Sequence, residues 1–174
     1  PGDILVITFT RAAAEEMRER YEALTGGGSR VTFGTFHSIF FRILKLAYRY
    51  TADNIVREEQ QMQFVRELAQ AGGLEPEDEN EFAASILSEI SSVKGERIAL
   101  EHYYSKNCPD AVFRQLYAGY EEKMRRAGLI DFDDMMVLCL ELFTERKDIL
   151  SAWQRRYRYI LIDEFQDINR LQYE

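Results

Sequence analysis

The amino-acid sequence predicts an α/β fold in which a parallel sheet is interrupted by a long all-helical insert. Three observations predict it. Short apolar runs rich in β-branched residues fall at positions 4–7, 31–33 and 159–162, and such runs suit parallel strands. Amphipathic helical patterns follow the first two, as parallel strands need crossover connections and helices usually supply them. The stretch from 51 to 126, roughly 75 residues, keeps a helical period and holds no strand pattern.

Each element has its own signal. Ile4, Leu5, Val6 and Ile7 form a continuous apolar run, read as a strand buried on both faces. Thr8, Phe9 and Thr10 follow, and then a helix over 12–24, where Ala13, Met17, Tyr21 and Leu24 recur at three- and four-residue steps. Gly26, Gly27, Gly28 and Ser29 end that helix. Val31, Thr32 and Phe33 make a second strand, closed by Gly34. A helix is predicted from Thr35 to about Tyr50, with Ile39, Phe40, Ile43 and Leu44 on one side.

The middle region shows three helical groups, around Met62 to Leu68, Phe82 to Ile90 and Phe113 to Met124, separated by an acidic loop at 75–81 and a break at 106–110. Gly128 ends this block. Asp131 then caps a helix reaching about Phe143, with Asp133 and Asp134 in a first turn that favours acids. These three acids are read as a cap, with no catalytic role. A further helix covers 149–156, and Tyr159, Ile160, Leu161 and Ile162 form a third buried strand. The chain opens on a strand and stops in what reads as the start of a helix, so it is expected to be a piece of a longer protein.

Composition narrows the function. The 174 residues are 46% hydrophobic, which argues for a folded chain. No apolar run approaches the ~18 residues of a membrane span, so no membrane role is expected. Two cysteines, Cys108 and Cys139, lack metal-ligand spacing and suit a reducing cytoplasm. The net charge of -8 argues against a generic polyanion binder but leaves room for a local groove.

In an open parallel sheet the carboxyl ends of the strands lie along one edge, and ligands bind there. Three turns are therefore candidates for one face: Thr8-Phe9-Thr10, Gly34-Thr35-Phe36-His37 and Asp163-Glu164. Two adjacent carboxylates at a strand end can divide the work of phosphoryl chemistry. One holds Mg²⁺, usually through water, and the other orients or deprotonates an attacking water. The partner expected for such a pair is G-x-x-x-x-G-K-[ST], and the chain contains none. The glycines at 26–28 follow a helix and lead into a strand, the reverse of that context, and are read as a connecting loop. From the residues alone, Phe9 and Phe36 are at least as readily core as ligand-facing, and a histidine such as His37 is more often a structural side chain bonded to backbone than a ligand.

The motifs resemble those of UvrD/Rep/PcrA-like superfamily 1 DNA helicases. Ile7 through Met17 is similar to motif Ia, a pattern close to TFTNKAAxEM. Gly34-Thr35-Phe36-His37-Ser38 is similar to motif Ib, and Leu129 through Met135 to an LDFDDL segment. Leu161 through Asn169 is similar to motif II, close to VDEYQDTN. The order matches, and the resemblance covers essentially the whole chain. It departs at Arg11-Ala12, where the family has Asn-Lys, and at Phe165 in place of the commoner Tyr. Motif I is absent, as is everything from motif III onward.

The resemblance implies a partial RecA-like sheet of the P-loop NTPase type, lacking the P-loop strand, over 1–50 and 127–174, with a helical insert over 51–126. It implies ATP and Mg²⁺, with Asp163 on the metal and Glu164 as catalytic base. Gln166 and Asp167 would link the nucleotide to the DNA. Single-stranded DNA would run past Thr8, Phe9, Thr10, Arg11, Gly34, Thr35, Phe36 and His37, and the insert would face a duplex junction. Exposed aromatic rings stack on any base, and hydroxyls and helix N-termini hold phosphates without reading sequence. The implied activity is an ATP-dependent DNA helicase or translocase, with the 174-residue piece inactive alone. Two other readings stand beside it: the motor of an AddA/RecB-type helicase-nuclease, and a non-catalytic DNA-binding or interaction module.

Overall fold

The computed structural model describes residues 1–28 and 30–174; Ser29, which the sequence places in the glycine-rich loop, lies outside the described residues. Two compact units are present. The first comprises Pro1–Arg49 and Met135–Glu174, the second Tyr50–Asp134. Positions 127–134, grouped with the sheet in the sequence reading, cluster with the second unit.

The first unit holds a three-stranded parallel sheet in the order β2-β1-β3, with β1 at Ile4–Thr8, β2 at Thr32–Thr35 and β3 at Tyr159–Ile162. Helix α1, Arg11–Thr25, connects β1 to β2 and ends where Gly26 enters the left-handed region at φ 77°, a conformation that glycine adopts without a Cβ penalty. Helix α2, Phe36–Tyr48, follows β2 and buries Phe36, Ile39, Ile43 and Leu44.

The strands are not equally covered. Leu5, Ile7 and Thr8 of β1 are buried and Ile4 and Val6 half-buried. β3 contradicts the expectation of a buried strand: Tyr159, Ile160 and Leu161 are each more than half exposed. It lies at the sheet edge and pairs only with β1 among the described residues. Its Ile160 and Ile162 open onto an apolar cleft of about 530 Å³ that also touches Phe40, Cys139, Leu150 and Trp153. An apolar run reports a need for cover, and at an edge that need is unmet.

The second unit is built on α3 (Glu58–Ala71), α4 (Glu79–Gly95) and α5 (Asp110–Ala127). Their inward faces bury Val65, Ile86, Ile90, Phe113, Leu116 and Tyr120 in one core, as the helical periods predict. Asp78 caps α4 by accepting from the N–H groups of Asn80 at 2.8 Å and Glu81 at 2.9 Å. The two ends of the unit are clasped together. Val56 N–H donates to Ile130 O at 3.0 Å, Ile130 N–H to Asn54 O at 2.8 Å, and the Asn54 amide to Gly128 O at 2.9 Å.

The same unit contains a buried cation that the sequence did not reveal. Lys94, near the end of α4, places Nζ 2.9 Å from Asp131, 2.7 Å from Asp134 and 2.7 Å from Glu121. Tyr120 donates its hydroxyl to Asp131 at 3.1 Å and receives the Gln61 amide at 2.6 Å. Asp131 also caps the next helix, α6 (Phe132–Glu145). It accepts from Asp134 N–H at 2.8 Å while Asp134 accepts from Asp131 N–H at 3.0 Å. The expected cap is therefore present, and Asp131 is an ion-pair partner as well. Burial alone would depress the Lys94 ammonium, but the charges of Asp131, Asp134 and Glu121 outweigh it and hold Lys94 raised. Helix α7 (Lys147–Arg156) leads back to β3, and a short helix α8 (Arg170–Tyr173) ends the chain.

Candidate functional site

The carboxyl ends of the three strands form one rim. Parallel register sets Thr8 of β1 opposite Thr35 of β2, and Ile7 opposite Ile162 of β3. The turns that follow thus leave the sheet side by side although the third lies more than a hundred positions along the chain from the other two. Asp163 N–H donates to Ile7 O at 2.9 Å, so the acidic turn is bonded to the strand that continues into Thr8 and Phe9.

In the first turn, Thr8 is wholly buried and its hydroxyl donates to Thr10 O at 2.8 Å. Thr10 Oγ1 accepts from Ala13 N–H at 3.2 Å and caps α1. Thr8 was expected to line a strand path; its hydroxyl instead shapes the turn, since a side chain facing the core cannot reach a ligand. Phe9 is 39% exposed and Arg11 is exposed beside it.

Phe9 and Phe36 meet edge to face, with ring centroids 5.8 Å apart. Phe36 is only 4% exposed and also packs on Phe40 at 6.0 Å. The expectation that Phe36 offers a face to a base is therefore corrected. It is the first residue of α2 and falls on the helix face that buries Ile39 and Ile43. Of the two rings, Phe9 is the one open to solvent.

In the second turn, Thr35 and Ser38 form a capping box. Ser38 N–H donates to Thr35 Oγ1 at 3.2 Å, and Thr35 N–H donates to Ser38 Oγ at 2.9 Å. The T-x-x-S spacing was the available signal, but the usual box carries Glu or Gln at the fourth place. Gly34 is required by close approach: a Cβ there would lie 2.7 Å from Ser38 Oγ and 3.2 Å from Ile39 Cδ1. His37 is half-buried, and burial lowers its imidazole below the usual histidine range. Burial thus disfavours the charged form of the ring.

In the third turn, Asp163 is half-buried and Glu164 exposed. Glu164 adopts the left-handed region at φ 51°, which costs a non-glycine residue about 1–2 kcal/mol. Such outliers cluster at functional sites. The Gln166 amide donates to Glu164 Oε2, and Asp167 N–H donates to Glu164 O at 2.9 Å, closing the single turn Phe165–Asp167. Gln166 thus orients the carboxylate two positions before it. The Asp167 side chain is exposed.

The residues fit Mg²⁺. That ion takes oxygen ligands, keeps several waters and is held by one or two carboxylates together with substrate phosphates. Asp163 and Glu164 supply such carboxylates at a strand end, with Asp163 open enough to meet a hydrated ion. Among the described residues there is no group of three or more His, Cys, Asp or Glu side chains that could hold a metal ion.

The three-stranded parallel sheet, with its turns gathered at the carboxyl ends of the strands, places the chain among α/β proteins, whose ligands bind along that edge. Residues 1–174 match the family described as UvrD/REP helicase N-terminal domain, and the chain belongs to that family. It is 37% identical over its full length to the putative ATP-dependent DNA helicase YjcD of Bacillus subtilis, of which it covers 24%. It is 34% identical, over 99% of its length, to the ATP-dependent DNA helicase PcrA of the same organism, covering 24% of it. It is also 34% identical over 99% of its length to DNA helicase II of Escherichia coli, covering 25%. The chain thus spans about a quarter of the length of the curated relatives it matches.

Proposed function

We propose that the chain is the first part of an ATP-driven motor that moves along single-stranded DNA and opens duplexes. The first unit would be a RecA-like domain and the second its helical insert, turned toward the duplex junction. One observation carries the reading: the acidic turn and the aromatic turn leave the same rim and are joined by the Asp163–Ile7 hydrogen bond. Family membership and the names of the relatives support it.

The residues then divide as follows. Asp163 would hold Mg²⁺ through water, and the bound ion would neutralise charge on the β- and γ-phosphates of ATP. Glu164, held by Gln166, would accept the proton of the attacking water. Asp167 would relay the state of that site. Phe9 would stack on a base, with Phe36 supporting its ring from beneath. Thr10, Arg11, Gly34, Thr35 and His37 would border the phosphates, while Thr8 fixes the turn. A change in the acidic turn would reach the aromatic turn through β1. The phosphate cradle of a G-x-x-x-x-G-K-[ST] loop is not among these residues, so this chain alone is expected to leave ATP unhydrolysed.

The test is ATP hydrolysis by the full-length protein with and without oligo-dT. Hydrolysis should rise with the strand, and Glu164→Gln should abolish it while nucleotide binding persists. Stimulated hydrolysis that survives Glu164→Gln would remove Glu164 from the mechanism. Strand binding with no hydrolysis in the wild type would favour a non-catalytic DNA-binding module.

A further inference from the structure

We propose that a cleft in the second unit, between α4 and the segment that precedes α5, binds an alkylammonium group, with Glu89 as its acceptor. The cleft has a volume of about 480 Å³ and is walled by Glu81, Ser85, Ser88 and Glu89 of α4 together with Tyr103 and Lys106. That volume falls within the range of about 300–1,000 Å³ typical of ligand sites. All six residues belong to the second unit, so the site is independent of the rim.

Glu89 is the anomaly that marks the site. It is only 6% exposed, and glutamates are seldom buried unless paired. Its Oε1 accepts from Lys106 N–H at 2.9 Å and from the Asn107 amide at 2.6 Å, which anchors the turn between α4 and α5. Its Oε2 is buried with no hydrogen-bond partner among the described residues. Anchoring the turn accounts for one oxygen and leaves the other unexplained. A buried acceptor in that state is costly, and native folds seldom keep one without a use for it.

The chemistry of the walls selects the ligand. An unpartnered carboxylate oxygen calls for a donor, and two carboxylates against one ammonium in the lining call for a cation. Among the described residues no group of three or more His, Cys, Asp or Glu could hold a metal ion, which favours an organic cation. With Oε1 occupied, the planar fork of a guanidinium would find only one oxygen. An ammonium is a compact charge with three N–H donors. One donor suits Glu89 Oε2, and the hydroxyls of Ser85 and Ser88 in the same wall can accept the others. Ala84 and Tyr103 add apolar surface along which a methylene stem can lie. Burial, and then the charge of Glu89, raise the Tyr103 hydroxyl, which keeps it protonated beside the cleft.

The experiment is calorimetric titration of 1,5-diaminopentane into the full-length protein, comparing wild type, Glu89→Gln and Ser88→Leu at matched ionic strength. Glutamine keeps one oxygen for Lys106 and Asn107 and replaces the other with an amide nitrogen that cannot accept. Affinity should fall about tenfold or more, as expected when a hydrogen bond between charged groups is lost. Ser88 is exposed, so Ser88→Leu leaves Glu89 untouched, narrows the cleft and should also weaken binding. Thermal melting shows which variants fold, and Ser88→Leu decides the matter if Glu89→Gln does not. Two further arms separate the sources of the ammonium. Tighter binding of Nα-acetyl-lysine amide than of the diamine assigns the cleft to a lysine side chain of a partner, and the reverse order assigns it to a free amine. No saturable binding by the wild type, or unchanged affinity in either folded variant, overturns the proposal. Equal binding of tetramethylammonium, which has no N–H to donate, or of Nα-acetyl-arginine amide overturns it as well.

Discussion

Replacing Lys94 by methionine tests how the second unit is held. The ammonium is 4% exposed and lies within hydrogen-bond distance of three carboxylates, those of Glu121, Asp131 and Asp134. Methionine keeps much of the aliphatic volume and removes the charge. Glu121, 40% exposed, can turn to water. Asp131 and Asp134 cannot, because their carboxylates also close the cap of α6. A buried acid, Asp131, and a half-buried one, Asp134, are then left facing each other. Removing one partner of a buried ion pair costs about 3–5 kcal/mol, and the upper half of that range is expected at pH 8.

The pH dependence follows from the same carboxylates. In the wild type, burial and the charge of Asp131 push Asp134 up to about 6, against the pull of Lys94. An acid raised in the fold holds more protons there than in the unfolded chain, so stability falls as pH rises from the ordinary carboxylate range to about 6. Without Lys94 the Asp134 carboxyl loses the charge that pulls it down and rises further, and the deficit of Lys94→Met should shrink as pH is lowered from 8 to 5. Urea denaturation followed by far-UV circular dichroism at the two pH values measures both effects. A loss below about 1 kcal/mol at pH 8, or the same loss at both pH values, would refute the description of Lys94 as the counter-ion of buried acids.

Other substitutions separate the rim residues by role. Phe9→Ala in the full-length protein should weaken oligo-dT binding by about 1–3 kcal/mol, as expected for a lost stack, while its thermal melt changes little. Phe36→Ala should do the reverse, costing about 3–5 kcal/mol of stability as a buried ring is deleted, read by urea denaturation. Gly34→Ala brings a methyl group to within 2.7 Å of Ser38 Oγ. Ser38 must rotate away and the cap of α2 opens, so a loss of about 1 kcal/mol is expected in the same assay.

Much of this was legible in the sequence. β1, β2 and β3 announced themselves as apolar runs, and the inward faces of α2 to α5 as helical periods, because burial demands repeated apolar contacts. Asp131 was legible as a cap, since capping depends on local spacing. Lys94 as its partner was not, because 37 positions separate them and nothing in a lysine at a helix end signals burial. The exposure of β3 was misread for the opposite reason: apolar residues at 159–162 indicate a surface that favours cover, and composition cannot say which residues supply it. Phe9 and Phe36 carry the same side chain in similar turns. Only the direction of α2 decides that Phe36 goes inward while Phe9 stays open.

The central claim is that acids and ring serve one rim, with nucleotide on one flank and strand on the other. The most direct measurement is a crystal structure of the full-length protein bound to a non-hydrolysable ATP analogue, Mg²⁺ and oligo-dT. The account predicts the triphosphate and its ion beside Asp163 and Glu164, and a base stacked on Phe9. A nucleotide bound away from that turn, or a strand crossing the far side of the sheet from Phe9, would contradict it.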